Sequence, residues 1–317
     1  MGAGQRGVSA LVVGASGQVG HHLGLAAERR GLPWRGTFYS CPAAGLEQLD
    51  MRDATAVSQM VRRLSPEFLI VPAAAANVDR CERAPGETYD VNVRGTRNIV
   101  DAANEAEATV VYFSSDFVFD GVTGPYDESE PTNPISQYGL QKLSAEHVVL
   151  QCAREALIVR TTVVYGHEPQ RKNFIYRVLA SLRRGQRIAV PDDQVGTPTY
   201  APVLADAVFD LLQAGARGVI NVAGRELVTR EGFARAAASA FGEDPALVHP
   251  TATAALEQAA RRPLNAGLRS EFAERCLGRP LPGYLEGLRR MSMESAVEMA
   301  GANKKWPADT AGERGYR

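Results

Sequence analysis

Tyr138 and Lys142, four apart in Ser136-Gln137-Tyr138-Gly139-Leu140-Gln141-Lys142, have the types and spacing to move a proton. On a helix, residues at that spacing share one face. An ammonium beside a phenol favours the phenolate and lowers the tyrosine pKa toward working pH, so the phenol can both donate and accept a proton. Such pairs are common by chance; this one gains weight from following an apolar strand candidate, Thr109 to Phe113. That strand runs into Ser114-Ser115-Asp116, where a hydroxyl can hydrogen-bond the substrate oxygen and position it. The chemistry this suits is carbonyl reduction: hydride arrives from a nicotinamide, Tyr138 protonates the oxygen, and Lys142 also holds the nicotinamide ribose. Ser114 and Ser115 could instead only satisfy strand-end backbone groups. Asp116 reads either as a second proton-handling group or as a cap on the next turn.

A place for the dinucleotide lies near the N-terminus. The apolar run Val8 to Val13 leads into Gly14-Ala15-Ser16-Gly17-Gln18-Val19-Gly20 and then into a helix-compatible stretch, His21 to Arg30. Glycines at this spacing allow a tight turn, close approach of a pyrophosphate, and packing of helix on strand. The helix start offers free N–H groups and partial positive charge to phosphate. Gly14, Ser16, Gly17, Gln18 and Val19 are therefore cofactor candidates. An NAD-selective site carries an acidic residue about 20 positions on. The corresponding segment here, Arg35-Gly36-Thr37-Phe38-Tyr39-Ser40, has no carboxylate before Glu47. Arg35 or Ser40 can contact a 2′-phosphate, so NADP(H) is favoured over NAD(H).

These residues need a frame, and the first 165 positions supply one. Short apolar runs at Val8 to Val13, Trp34 to Tyr39, Phe68 to Val71, Thr109 to Phe113 and Leu157 to Thr161 alternate with helix-compatible stretches such as Ala54 to Leu64 and Thr88 to Ala106. Such alternation predicts an α/β fold, a doubly wound parallel Rossmann sheet covered on both faces. After Gly166 the spacing predicts helices at Asn173 to Arg184 and Val203 to Ala214 and a returning strand at Gly218 to Val222. Residues 229–290, rich in Ala, Leu and Arg, read as helical with breaks at Pro245, Pro263 and Pro282. The expected domains are a cofactor-binding unit over 1–165, completed by 198–224, and a smaller, mostly helical substrate lobe over 166–197 and 225–300. The polar segment Gly301 to Arg317 is expected to be a flexible tail.

Bulk properties narrow the class. A net charge of -1 gives no field to draw the chain to nucleic acid or an anionic membrane. No run approaches the roughly 18 apolar residues that a membrane helix needs. Cys41, Cys81, Cys152 and Cys276 are scattered and read as reduced thiols, and no His, Cys or carboxylate set has metal-ligand spacing. The chain is expected to be cytoplasmic and metal-free.

Further strings carry a resemblance. Ser114-Ser115-Asp116-Phe117-Val118-Phe119-Asp120-Gly121 is followed by Pro125-Tyr126-Asp127-Glu128, the Tyr138 to Lys142 segment, Lys172-Asn173-Phe174, Asp193-Gln194-Val195-Gly196-Thr197-Pro198-Thr199 and Arg262-Pro263-Leu264-Asn265. In that order the set resembles the dTDP-4-dehydrorhamnose reductase family of extended short-chain dehydrogenases, over residues 8 to 280. The resemblance implies that Ser115, Asp116, Tyr138 and Lys142 are catalytic, with Ser115 standing where the family has Thr. It implies that Ala73, Ala74 and Ala75 line the nicotinamide side of the groove, that Asp50 and Met51 sit beside the adenine, and that Asn92 supports the active-site backbone. It places Val78, Val163, Asn173, Phe174, Gln194, Thr197 and Arg262 toward a nucleotide-sugar substrate, with Arg262 able to clamp a diphosphate. A homodimer is open to it, since relatives often pair.

The chain departs from the family at Val163, where a tryptophan is usual, and at Pro72, where an Asn is common. The regulatory subunit of methionine adenosyltransferase carries the same serine-aspartate string and also lacks that tryptophan. A non-catalytic NADP-binding regulatory subunit is thus the alternative. An epimerase or dehydratase is the third reading; dehydratases tend to have an acidic pair after the strand-end hydroxyl, whereas Asp116 here is followed by Phe117.

Overall fold

The structure, a computed structural model, describes residues 8–302. Strands β1 (Val8–Val12), β2 (Trp34–Phe38), β3 (Leu46–Gln48), β4 (Pro66–Val71), β5 (Thr109–Ser115) and β6 (Ala156–Thr161) join an outer strand, Gly218–Asn221, in one parallel sheet of seven. Its order is Gly218–Asn221, β6, β5, β4, β1, β2, β3. All seven residues of β5 are buried, as a parallel strand covered on both faces requires. Direction of winding reverses between β1 and β4, so a crevice opens beyond their carboxyl ends.

Helices cover both faces. They are α1 (Gln18–Arg29), α2 (Ala54–Leu64), α3 (Val78–Arg83), α4 (Pro85–Tyr89), α5 (Thr96–Glu105), α6 (Gln137–Cys152), α7 (Phe174–Arg183), α8 (Ala201–Gln213), α9 (Arg230–Ala240), α10 (Glu271–Leu277) and α11 (Tyr284–Ala302). Leu23 of α1 and Leu204 and Val208 of α8 pack with Val12, Val111 and Val159 on one face. Val57 of α2, Ile99 of α5 and Val149 of α6 pack with Leu11, Leu69 and Val110 on the other. Each such buried side chain contributes roughly 1.5–3 kcal/mol of transfer free energy. This sandwich holds the carboxyl edge of the sheet rigid, and the candidate site residues Ser114 and Ser115 stand on that edge.

Three stretches differ from the sequence-based expectation. The helix expected over Thr88 to Ala106 begins at Pro85 and contains a π-helical segment, Asp90–Gly95. Wide turns of this kind recur at functional sites, and this one carries the buried Asn92. The short strand β3 was not anticipated. Within the span read as helical, Val248–Thr251 is a strand paired in parallel with Ile188–Pro191. Its β-branched Val248 packs with Val178 and Val190, a long-range contact that outweighs the local helix-forming composition.

Past β6, small ladders join Val195–Gly196 to Val228–Thr229 and Val164–Tyr165 to Thr199–Tyr200. α11 closes the back of this part of the chain. Tyr165 donates to the Tyr284 carbonyl (3.0 Å) and Tyr200 to Glu294 (2.9 Å), while Leu288 and Met291 bury against both rings and Phe233. Of the tail expected over Gly301 to Arg317, Gly301 and Ala302 end α11 and the rest lies outside the described residues. Among the described residues no helix is long and apolar enough to cross a membrane.

Candidate active site

The glycine turn crosses the crevice where its spacing places it. Gly14 has φ of +92°, and a Cβ there would stand 2.8 Å from the Ala73 Cβ. A Cβ on Gly20 would stand 2.3 Å from the Gly14 carbonyl, so this glycine lets α1 seat on the turn. Gly17 differs: its nearest neighbour would be 3.4 Å away, and it leaves the N-terminus of α1 open to an approaching group. Thr37 of β2 holds the turn from below, its hydroxyl accepting from Gly14 N–H (3.2 Å) and its carbonyl from Ala15 N–H (2.7 Å). Val19 lines the cavity. Ser16 and Gln18 serve the neighbouring loop: Gln170 donates to the Ser16 carbonyl (2.8 Å), and the Gln18 amide, turned to donate, reaches Val164 O (3.2 Å).

At the far end of this groove Arg35 and Ser40 are exposed, with Arg35 donating to the Trp34 carbonyl (3.0 Å). Asp50 is occupied by Arg52 (2.6 Å), whose hydrogen bonds hold its carboxyl below the usual range. Arg52 also donates to the Tyr39 hydroxyl (2.8 Å) and lies over that ring. Met51 is buried beneath Gly95. Tyr39 and Arg52 were not singled out by sequence reasoning, because only the fold brings the ends of β2 and β3 together.

The reactive groups converge where β5 ends. Ser114, Ser115, Asp116, Tyr138 and Lys142 all line one cavity of about 1070 Å³, together with Val19, Pro72, Ala74 and Ala76. Ser136 starts α6 as its cap, accepting from Gly139 N–H (3.2 Å), and so sets the helix phase that points Tyr138 and Lys142 inward. Lys142 is buried and donates to the Phe113 carbonyl (2.7 Å) and the Tyr112 hydroxyl (3.1 Å). Burial lowers its pKa to about 8. Asp116 accepts from Ser115 Oγ (2.7 Å) and Thr162 Oγ1 (2.6 Å), and burial raises it to about 6. Burial, with the Asp116 charge second, pushes the Tyr138 phenol above its ordinary value, and a Ser115 hydrogen bond opposes this.

The expectation that Lys142 lowers the phenol pKa is therefore not met here. The shared helix face is present, but the ammonium is turned toward Phe113 and Tyr112. A phenol held protonated remains a competent proton donor.

A buried polar network fixes this geometry. The Asn92 amide accepts from Ala75 N–H (2.8 Å) and donates to the Ala75 carbonyl (3.2 Å) and to Gln141 Oε1 (2.8 Å). Gln141 in turn donates to Thr88 Oγ1 (2.9 Å) and the Pro85 carbonyl (3.1 Å). Asn92 thus braces the loop after β4 against α6 without reaching the groove, and Ala73 and Ala75 support that loop while Ala74 faces the cavity. Tyr112, Thr162 and Gln141 were missed from the sequence, since each acts through a contact between distant segments.

On the substrate side, Val78, Val163, Phe174, Gln194 and Arg262 line the same cavity. Val163 has φ of +42°, a left-handed conformation that strains a β-branched residue by roughly 1–3 kcal/mol. Two expectations are corrected. Asn173 caps α7, accepting from Ile175 N–H (3.1 Å) and Tyr176 N–H (3.3 Å) and donating to the Gly166 carbonyl (2.8 Å), which leaves its amide on the backbone. Thr197 is buried and accepts from Leu268 N–H (3.0 Å). Arg262 is ion-paired to Asp79 (3.0 Å).

The groove also fits a dinucleotide by what it leaves unmet. The buried Ser114 Oγ and Thr161 Oγ1 have no hydrogen-bond partner among the described residues, and both line the cavity. Buried polar groups left so are costly unless a ligand meets them.

A model of the RmlD substrate-binding domain matches residues 8–297. The chain belongs to this family. It is 35% identical over 259 residues to dTDP-4-dehydrorhamnose reductase of Mycobacterium tuberculosis, covering 80% of this chain and 82% of the relative. It is 30% identical over 264 residues to the probable low-salt glycan biosynthesis reductase Agl14 of Haloferax volcanii, covering 80% and 87%. Among solved structures it is similar to dTDP-4-dehydrorhamnose reductase of Bacillus anthracis in complex with NADP, with a TM-score of 0.83, 27% identity, and coverage of 90% of this chain and 99% of that one. The RmlD-family chain is an NAD(P)-dependent oxidoreductase of the Rossmann type.

Proposed function

We propose that this enzyme reduces the keto group of a dTDP-4-keto-6-deoxy sugar, with NADPH favoured as hydride donor and Tyr138 as proton donor. The observation that carries the reading is the meeting of Ser115, Tyr138 and Lys142 in one cavity that runs from Val19 at the start of α1 to Phe174 and Gln194. The nicotinamide, when bound, supplies the hydride. Tyr138 passes its phenolic proton to the carbonyl oxygen as negative charge develops there. Ser115, its hydrogen committed to Asp116, fixes the oxygen's surroundings and keeps the phenol aimed. Lys142, anchored on Phe113 and Tyr112 with its ammonium turned away from the phenol, is left the role of holding the nicotinamide ribose. Asn92 and Gln141 keep α6 in register with the loop after β4. The absence of a carboxylate between Arg35 and Ser40 supports NADPH over NADH.

The test is incubation with NADPH and a panel of dTDP, UDP and GDP keto-sugars, followed at the nicotinamide absorbance. Oxidation with the dTDP compound supports the reading. No oxidation with any member of the panel refutes it and leaves the regulatory-subunit alternative.

A further inference from the structure

The substrate half of the cavity holds cations without an ion-pair partner among the described residues, of which Arg177 is exposed and Arg230 is the more enclosed. Arg177, Arg230 and Arg262 all line it. Arg262 is paired with Asp79 at 3.0 Å and also donates to the Ala260 carbonyl at 3.1 Å. Arg230 has no such partner: its backbone N–H reaches the Gln194 carbonyl (2.8 Å), and its guanidinium lies 4.3 Å over the Phe174 ring. Among the described residues no carboxylate comes within ion-pairing distance of it.

Three effects oppose a cation there. Arg230 is the first residue of α9, at the end of the helix that carries partial positive charge. Burial lowers its pKa to about 10, and Arg177 and Arg262 add repulsion. The Asp116 charge favours the cation through space, yet no hydrogen bond joins the two. Phe174 holds the guanidinium over its face and leaves the donor edge free to meet two oxygens at once.

We propose that Arg230, in place of Arg262, grips the diphosphate of the substrate. This deepens the nucleotide-sugar reading and rests on it. An anion of two or more charges is the ligand that offsets every opposing effect at once, and a planar fork suits paired phosphate oxygens. Phe174 becomes a platform for the arginine, and Arg262 a brace for α3 through Asp79.

The experiment measures binding of inorganic pyrophosphate by calorimetry with the glycine turn filled by saturating NADP+, so that only the substrate side reports. Arg230→Met is expected to weaken pyrophosphate binding roughly ten- to a hundredfold, the range for hydrogen bonds to charged groups. Arg230→Lys recovers part of the loss, because it keeps the charge without the fork. NADP+ affinity stays unchanged and the melting temperature does not fall, since an uncompensated cation is removed. Pyrophosphate binding that is absent from the native protein, or equal in native and Arg230→Met proteins, overturns the proposal. Failure of the keto-sugar reading registers differently: no NADPH oxidation, with Arg230-dependent pyrophosphate binding intact.

Discussion

Glu146 lies on α6 one turn beyond Lys142, and its carboxylate binds Arg160 of β6 through two hydrogen bonds, 2.9 and 2.7 Å long. Both side chains are almost wholly buried, at 6% and 2% exposure for Arg160 and Glu146. Replacing Glu146 with Leu strands the Arg160 charge in the interior, a change that typically costs about 3–5 kcal/mol. At about 2–4 °C per kcal/mol for a chain somewhat shorter than this one, the melting temperature should fall by roughly 6–20 °C. The exposed pair Arg62–Glu105, with exposures of 69% and 50%, is the control; Glu105→Ala should cost about 1 kcal/mol or less. Glu146→Leu combined with Arg160→Met should recover most of the loss, because the stranded charge is gone. Thermal unfolding of the four proteins decides the matter. A Glu146→Leu loss no larger than that of Glu105→Ala, or a double variant no more stable than the single one, would refute the reasoning. The pair also bears on chemistry, since the Glu146 charge raises the Lys142 pKa against the effect of burial.

Further predictions concern pH and the glycine turn. Lys142, at about 8 in the folded chain against 10.5 ordinarily, binds fewer protons when folded, so its contribution makes stability rise between pH 8 and 10.5. Catalysis runs the other way: kcat/KM for reduction should fall above about pH 8 as the ammonium discharges, and a flat profile to pH 10 would contradict this role. Asp116, raised to about 6 from 3.8, favours the folded state at low pH and loses that contribution as pH rises through this window; Asp116→Asn should remove this slope from the measured unfolding free energy. In the turn, Gly17→Ala should fold with a normal melting temperature but bind dinucleotide more weakly. Gly20→Ala, with its Cβ against the Gly14 carbonyl, should lose stability, and equal melting temperatures for the two variants would show the turn is packed otherwise.

Much of the site could be read before folding because local spacing sets it. The glycine turn, the Ser114-Ser115-Asp116 strand end and the Tyr138–Lys142 pair each depend on a few neighbouring residues; the last two meet in the cavity, which Val19 beside the turn also lines. What escaped depends on contacts between distant segments. Arg230, Thr162 and Tyr112 carry no local mark, and the direction of the Lys142 ammonium follows from where Phe113 and Tyr112 lie, not from its spacing to Tyr138. Asn173 shows a different cause. An Asn before Phe174-Ile175-Tyr176 is a helix-cap signal in its own right, yet family resemblance pointed it at substrate. The strand Val248–Thr251 lay hidden because only pairing with Ile188–Pro191 favours it over its helical surroundings.

The central claim is that Tyr138 completes a hydride transfer to a carbonyl. NADPH deuterated at the transferred position of the nicotinamide, incubated with the dTDP-4-keto-6-deoxy sugar, tests it most directly. The account predicts one deuterium on the former carbonyl carbon with the native protein and a loss of turnover of at least about a hundredfold with Tyr138→Phe, in keeping with removal of a general acid. Product without deuterium at that carbon, or labelled product formed at the native rate by Tyr138→Phe, would contradict it.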